Sequence, residues 1–321
     1  MTTPAIPQAG SSPVLAPPLQ RWQAWQALGH DLESLLLQPR AQPDFLSRIQ
    51  ALARTLDRLM VEDDNLGVFE AIRISPDKLA RYGVLHSLHT AVVAWLVASR
   101  KEWSVERRRV LVQAALTMNI AVTSLQTTLA LQPGGMQPGQ QAQMRQHPLE
   151  GMRLLQSLGV GDEEWLDAVA QHHEQPKGKG YPMGLETCSE MADVLRTCDV
   201  FCAKMSPRAG RVALLSPTAA AAIFRHRSAN YFGATVVTTL GLYPPGSLVA
   251  LGSGEQAMVL RRTPNPHGPL VAMLTDPSGQ PLPAPQPAVA GTARVAKVRG
   301  PGQDAGLAGL FPPEVVLAAS A

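Results

Sequence analysis

Charge of one sign is in short supply in this 321-residue chain. Its 28 Lys and Arg stand against 25 Asp and Glu, a formal net charge of +3. A nucleic-acid binder would show a clustered basic face, so that class of partner is not expected. Cysteine is scarce: Cys188, Cys198 and Cys202 form no CxxC pair, and they read as small core residues of a protein in a reducing cytosol. No apolar run reaches the ~18 residues that span a bilayer. Ala91 to Ala98 comes nearest and is bounded by His89 and Arg100. The N-terminus lacks a basic segment followed by an apolar core, which argues against a secretory signal. A cytoplasmic location without membrane insertion is the expectation. Aromatics are sparse, at 5%.

Hydrophobic residues make up 45% of the chain, with Ala and Leu abundant, which favours packed helices. Residues 1–20 are rich in Pro and small side chains and read as a disordered lead. A helical region over 21–75 follows. Trp22, Trp25, Leu28 and Leu32 mark a helix from Arg21 to Leu37, and Phe45, Ile49, Leu52, Leu56 and Leu59 mark one from Asp44, a candidate cap, to Val61. A third runs from Leu66 to Ile74. Over 76–230 further helices are expected at Asp77–Arg100, Glu106–Ala121, His147–Leu158, Asp162–His173, Ser189–Lys204 and Ser216–Arg227, with a Gln/Gly/Pro-rich connection from Gln132 to Gln143. Over 231–282 the pattern turns to short strands: Leu248–Leu251, Gln256–Arg261 and Leu270–Leu274. Proline and alanine dominate 283–321 and argue against order there.

The densest chemical signal is His172-His173-Glu174-Gln175-Pro176-Lys177-Gly178-Lys179-Gly180-Tyr181-Pro182. Two adjacent histidines close a helix, and a glycine-spaced turn follows. His86, His147 and Asp199 fall on other expected helices. Imidazoles and a carboxylate spread over consecutive helices are what a metal site inside a bundle needs, because facing helices project side chains to a common centre.

These residues resemble the HD-GYP branch of the HD metal-dependent phosphohydrolases. The likeness extends over roughly residues 80–280, through Tyr82 to His89, His147-Pro148-Leu149-Glu150-Gly151, the His172–Pro182 string, Asp199-Val200-Phe201 and Tyr243 to Val249. The string is similar to the family's HHExxDGxGYP. The resemblance implies a mainly α, HD-type helical bundle with an N-terminal helical segment and a small β-rich C-terminal tail. It implies metal ligation by His86, His147, His172, His173 and Asp199, and contact of Arg208 and Arg211 with phosphates. Lys177 and Lys179 would add charge there, although the family usually has Asp at the position of Lys177. Gly180, Tyr181 and Pro182 supply the name-giving turn.

Departures from the family pattern bear on activity. The family's His-Asp pair, in the setting Leu-His-Asp-Ile-Gly-Lys, aligns with Met118 and Asn119, and Val122 replaces the lysine. Asn119 has no charge with which to bridge two cations, and the thioether of Met118 suits the family's iron or manganese poorly. Tyr82 stands where three-metal members carry a glutamate. The resemblance with these departures implies a degenerate domain: a catalytically impaired regulator in cyclic di-GMP signalling that binds the nucleotide or a GGDEF-domain protein. Two other readings stand beside it: an active cyclic di-GMP phosphodiesterase with a reduced metal site, and a scaffold that binds neither. Iron or manganese at partial occupancy, or no metal, fits these alternatives. The N-terminal helices can pack on the bundle or serve a homodimer.

Overall fold

The computed structural model describes residues 17–73, 76–209, 218–219, 222, 232–265, 268–292, 296–304 and 306–319. Helix α1 (Pro17–Leu37) begins ahead of the expected Arg21 and buries Trp22, Trp25, Leu28, Leu32, Leu35 and Leu36. The rest of the expected disordered lead lies outside the described residues. Helix α2 (Phe45–Glu62) buries the apolar stripe read from the sequence, Phe45, Ile49, Leu52, Leu56 and Leu59. Asp44 occupies the cap position, but its side chain makes no capping bond. Asp63 does cap: its carboxylate accepts the N–H groups of Asn65 and Leu66 at the start of α3 (Asp64–Ile72).

A short 3₁₀ helix, Pro76–Arg81, replaces the expected start of the central helix, and α4 runs from Tyr82 to Arg100. Every residue from Tyr82 to Ala98 is buried. The expectation that no segment is long and apolar enough to cross a membrane needs correction. An 18-residue window within Leu79–Arg100 meets that measure, with a mean hydropathy of 1.2. Because 94% of that window is buried inside the protein, its apolar surface is taken up by neighbouring helices. Helix α4 packs against α5 (Val105–Thr117) and α9 (Glu190–Met205).

Helix α5 ends at Thr117, short of the expected Ala121, so Met118 to Val122 form a turn closed by the Val122 N–H on the Asn119 carbonyl at 2.8 Å. An unforeseen helix, α6 (Thr123–Leu131), follows and crosses the first turn of α4. At that crossing a Cβ on Gly83 would collide with the Thr123 carbonyl, and the Gly83 N–H bonds the Thr127 hydroxyl at 3.1 Å.

Helix α7 covers Pro138–Ser157. The expected connection therefore ends early, and Pro148 sits inside a helix instead of opening one. Helix α8 (Glu163–Gln171) is capped by Asp162, and α9 by Ser189. The expected helix Ser216–Arg227 lies almost wholly outside the described residues. Helix α10 (Gly233–Leu240) returns to pack on α4.

The C-terminal region forms one antiparallel sheet in the order β4-β3-β2-β1-β5, from β1 (Leu248–Leu251), β2 (Gln256–Arg261), β3 (Leu270–Thr275), β4 (Pro281–Val289) and β5 (Val298–Pro301). Alternation divides its faces. Met258, Leu260, Ala272 and Leu274 join the helical core, while Val249, Leu251, Ala257, Val259, Val271 and Val298 form a second core of their own. The Pro/Ala-rich tail is thus ordered further than its composition suggested, into β4, β5 and two short helices, α11 (Leu307–Leu310) and α12 (Pro313–Ala318). Proline is compatible with β4 because the strand lies at the sheet edge. The Ala290 N–H donates to the Pro269 carbonyl, so the even-numbered residues next to it direct their N–H groups toward β3 and Pro287 falls in the outward phase.

Candidate metal and phosphate site

His147, His172 and His173 come together where α7 and the C-terminal end of α8 meet. Each offers a ring nitrogen, and the three nitrogens lie within 4.8 Å of one another. His147 and His172 are fully buried, and His173 is partly exposed. The Nε2 atoms of His147 and His172 stand 3.1 Å apart.

Backbone carbonyls fix the tautomers of both. His147 Nδ1 lies 2.7 Å from the Met144 carbonyl, and His172 Nδ1 lies 2.7 Å from the Val169 carbonyl. A carbonyl only accepts, so both Nδ1 atoms carry the proton and both Nε2 atoms present lone pairs. Met144 is available for this task because of Pro148. In an uninterrupted helix its carbonyl would take the N–H of the residue four positions on, and proline has none.

Two facing lone pairs repel unless a cation lies between them. A proton is disfavoured: burial, and then the neighbouring His172, push His147 down to about 3. Burial also lowers His172 and holds His173 well below its ordinary value, with His172, His147 and the buried Arg196 adding to the effect at His173. Neutral imidazoles oriented by backbone carbonyls are the usual condition of metal-ligating histidines. The donor set fits one divalent ion held by His147, His172 and His173.

His86 and Asp199 form a pair beside this cluster, with Nε2 2.7 Å from Oδ1. Burial alone would raise the Asp199 carboxyl. The bond to His86 and the nearby His173 and His172 outweigh it and keep Asp199 below the usual carboxylate range. Its charge is felt by all three clustered histidines.

The turn after the histidines is anchored by a residue to which the sequence reading gave no role. Glu174 is fully buried, and its carboxylate accepts the N–H groups of Met183 (2.6 Å), Gly184 (3.1 Å) and Leu185 (3.0 Å). The loop folds back so closely that a Cβ on Gly180 would strike the backbone of Glu174 and Gln175. Tyr181 then stacks on His173, with ring centroids 4.7 Å apart at 24°, and its N–H donates to the His173 carbonyl. Burial first, and then Asp199, raise the Tyr181 phenol, so it stays protonated. Pro182 follows through a cis peptide bond.

The basic residues divide. Lys177 and Lys179 are exposed beside the turn. Arg208 is tied to the site through Tyr82: its Nε and Nη2 donate to the Tyr82 hydroxyl at 3.1 and 2.6 Å, and the Tyr82 ring stacks on His86 at 5.6 Å. Arg211 lies outside the described residues. Met118, Asn119 and Val122 are all buried, and the Asn119 Nδ2 has no hydrogen-bond partner among the described residues.

A family model described as "HD domain" matches residues 72–236. The chain is 30% identical over 188 residues to the cyclic di-GMP phosphodiesterase PA4108 of Pseudomonas aeruginosa, covering 56% of this chain and 45% of that protein. It is 29% identical over 141 residues to the cyclic di-GMP phosphodiesterase response regulator RpfG of Xanthomonas campestris pv. campestris, covering 42% and 36%. It thus spans less than half the length of either relative. Among solved structures, Bd1817, a HDG"Y"P protein from Bdellovibrio bacteriovorus, shares the fold with a TM-score of 0.54 at 15% identity, over 66% of this chain and 68% of that one. The chain belongs to the HD domain family, in its HD-GYP branch.

Proposed function

We propose that this chain is a cytoplasmic regulator that binds cyclic di-GMP at an HD-GYP site and hydrolyses it weakly or not at all. One observation carries the proposal: among the described residues, His147, His172 and His173 form the one group of at least three His, Cys, Asp or Glu side chains able to share an ion. That is ligation for a single cation. At the end of α5, where a second set would be completed, stand the buried Met118 and the uncharged Asn119. An iron or manganese ion at the three histidines would supply Lewis-acid polarisation of a phosphate group. The paired clamp on attacking and leaving oxygens that two-metal sites provide would be missing, and each ~1.36 kcal/mol lost from it is a tenfold loss of rate. Glu174 and the loop it holds, with Arg208 and the exposed lysines, remain to receive a phosphate. A GGDEF-domain protein is the alternative ligand of the same face.

Metal analysis, hydrolysis and calorimetry with cyclic di-GMP on one preparation test this. The expected result is no more than one equivalent of iron or manganese, measurable binding and negligible turnover. Restoring the family pair with Met118→His and Asn119→Asp should raise both metal content and turnover. Two equivalents of metal with turnover abolished by His172→Ala would overturn the proposal. A second reading, a one-metal hydrolase, is favoured by the oriented lone pairs of His147 and His172; turnover with one equivalent of metal would select it. Absence of binding, unchanged in Arg208→Ala, would select a scaffold.

A further inference from the structure

Arg145 lies on α7, two residues before His147, and nothing in the sequence pattern drew attention to it. It is exposed, and no carboxylate lies within ion-pair distance of it among the described residues. Its guanidinium carbon nevertheless sits 5.6 Å from the centroid of the Tyr181 ring. A guanidinium over an aromatic ring is held by cation–π attraction, which restrains its orientation while leaving the N–H donors at its edge free to bond. The ring beneath it is itself fixed, by the stack on His173 and by the N–H bond to the His173 carbonyl. Arg145 is therefore a cation placed at the rim of the histidine cluster through a chain of three contacting side chains, Arg145, Tyr181 and His173. Lys177 and Lys179 are exposed on the same loop and add positive charge to the rim; Glu186, whose Oε1 lies beside Gly178 between them, is the carboxylate of that loop.

We propose that Arg145 is an anion-binding residue of this site, taking the phosphate oxygens of a phosphodiester that enters over the Tyr181 ring. The assignment rests on the reading of the site as a receiver of cyclic di-GMP. Tyr181 acts as the platform that positions the guanidinium. A planar fork matches two phosphate oxygens at once, whereas an ammonium offers only a point charge. Arginine and lysine should consequently differ at this position.

Calorimetry with cyclic di-GMP on the full chain, at fixed salt, tests it. Arg145→Ala should weaken binding about tenfold or more, the scale of one lost charge-assisted contact, and Arg145→Lys should recover only part of that. Arg153→Ala removes an exposed arginine of the same helix and should leave the affinity unchanged. Tyr181→Leu should cost about as much as Arg145→Ala, and the double variant little more than either, because both remove one device. Metal content, measured in parallel, should not follow these losses. If Arg145→Ala binds as Arg153→Ala does, while the wild type binds cyclic di-GMP, the role of Arg145 is refuted and the reading of the site survives. If the wild type shows no binding, the reading of the site falls and takes this assignment with it.

Discussion

Replacing Glu174 with alanine should release the loop that carries Gly180 to Pro182 while leaving the helical bundle folded. The carboxylate holds three backbone N–H groups at 2.6, 3.1 and 3.0 Å. Charge-assisted bonds of this kind are worth about 1.5–3 kcal/mol each. Their sum overstates the loss, since Met183 and Gly184 are exposed and water can take over part of the bonding once the anchor is gone. A local cost of about 2–4 kcal/mol follows, and at 1.4 kcal/mol per tenfold the lower end means about 30-fold faster opening-limited exchange. Hydrogen exchange read at the amides of Met183, Gly184 and Leu185 measures it directly. Glu174→Gln keeps the shape but turns one acceptor into a donor that faces an N–H, so roughly half the effect is expected. Helical circular dichroism should be retained in both variants. Unchanged protection at these amides in Glu174→Ala would refute the role given to the carboxylate, whatever the protein binds.

Lys177 holds φ at +65°, a conformation that costs an ordinary L-residue about 1–2 kcal/mol; Lys177→Asn should raise stability by about 0.5–1 kcal/mol in urea titrations, and Lys177→Val should lower it. Pro148→Ala restores an N–H that competes for the Met144 carbonyl; nitrogen NMR should find the Nδ1-protonated tautomer of His147 less dominant, while the thermal midpoint rises because Pro is about 3 kcal/mol worse than Ala inside a helix. Burial pushes the Asp57 carboxyl up, but bonds from Trp95 and Arg108 and the charges of Arg108 and Arg109 outweigh it and leave the group below its ordinary value. Its stabilising contribution is therefore full above about pH 4 and is lost as pH falls through the lowered folded value. Asp57→Asn should reduce stability at pH 7 and flatten its decline on acidification, as read by urea unfolding at several pH values.

What could be read from the sequence follows what is local. The stripe from Phe45 to Leu59 is periodic in itself, and every member is buried. The clustered histidines were visible as residue types, since imidazoles on successive helices have few other reasons to recur. Helix α6 was not legible: its Thr and Ser residues are poor helix formers, and packing against α4 and the Pro76–Arg81 turn supplies the missing stability. Pro148 has the sequence pattern of a first-turn proline, whereas inside α7 the bond it vacates serves a histidine side chain. Glu174, Arg145 and Arg196 escaped because their roles depend on which loop lies over which helix. Spacing along the chain does not encode that.

The proline-rich outer strand has one further consequence. A sheet grows by recruiting foreign backbone at its open margins, and both margins of this one are poor recruiters. On one side β4 carries Pro281, Pro283, Pro285 and Pro287, with Pro287 turned outward where an incoming chain would seek a donor; on the other, β5 spans only Val298–Pro301. Self-association through strand pairing is therefore disfavoured at both margins of the described sheet, and a twin of this chain would dock more readily through side chains.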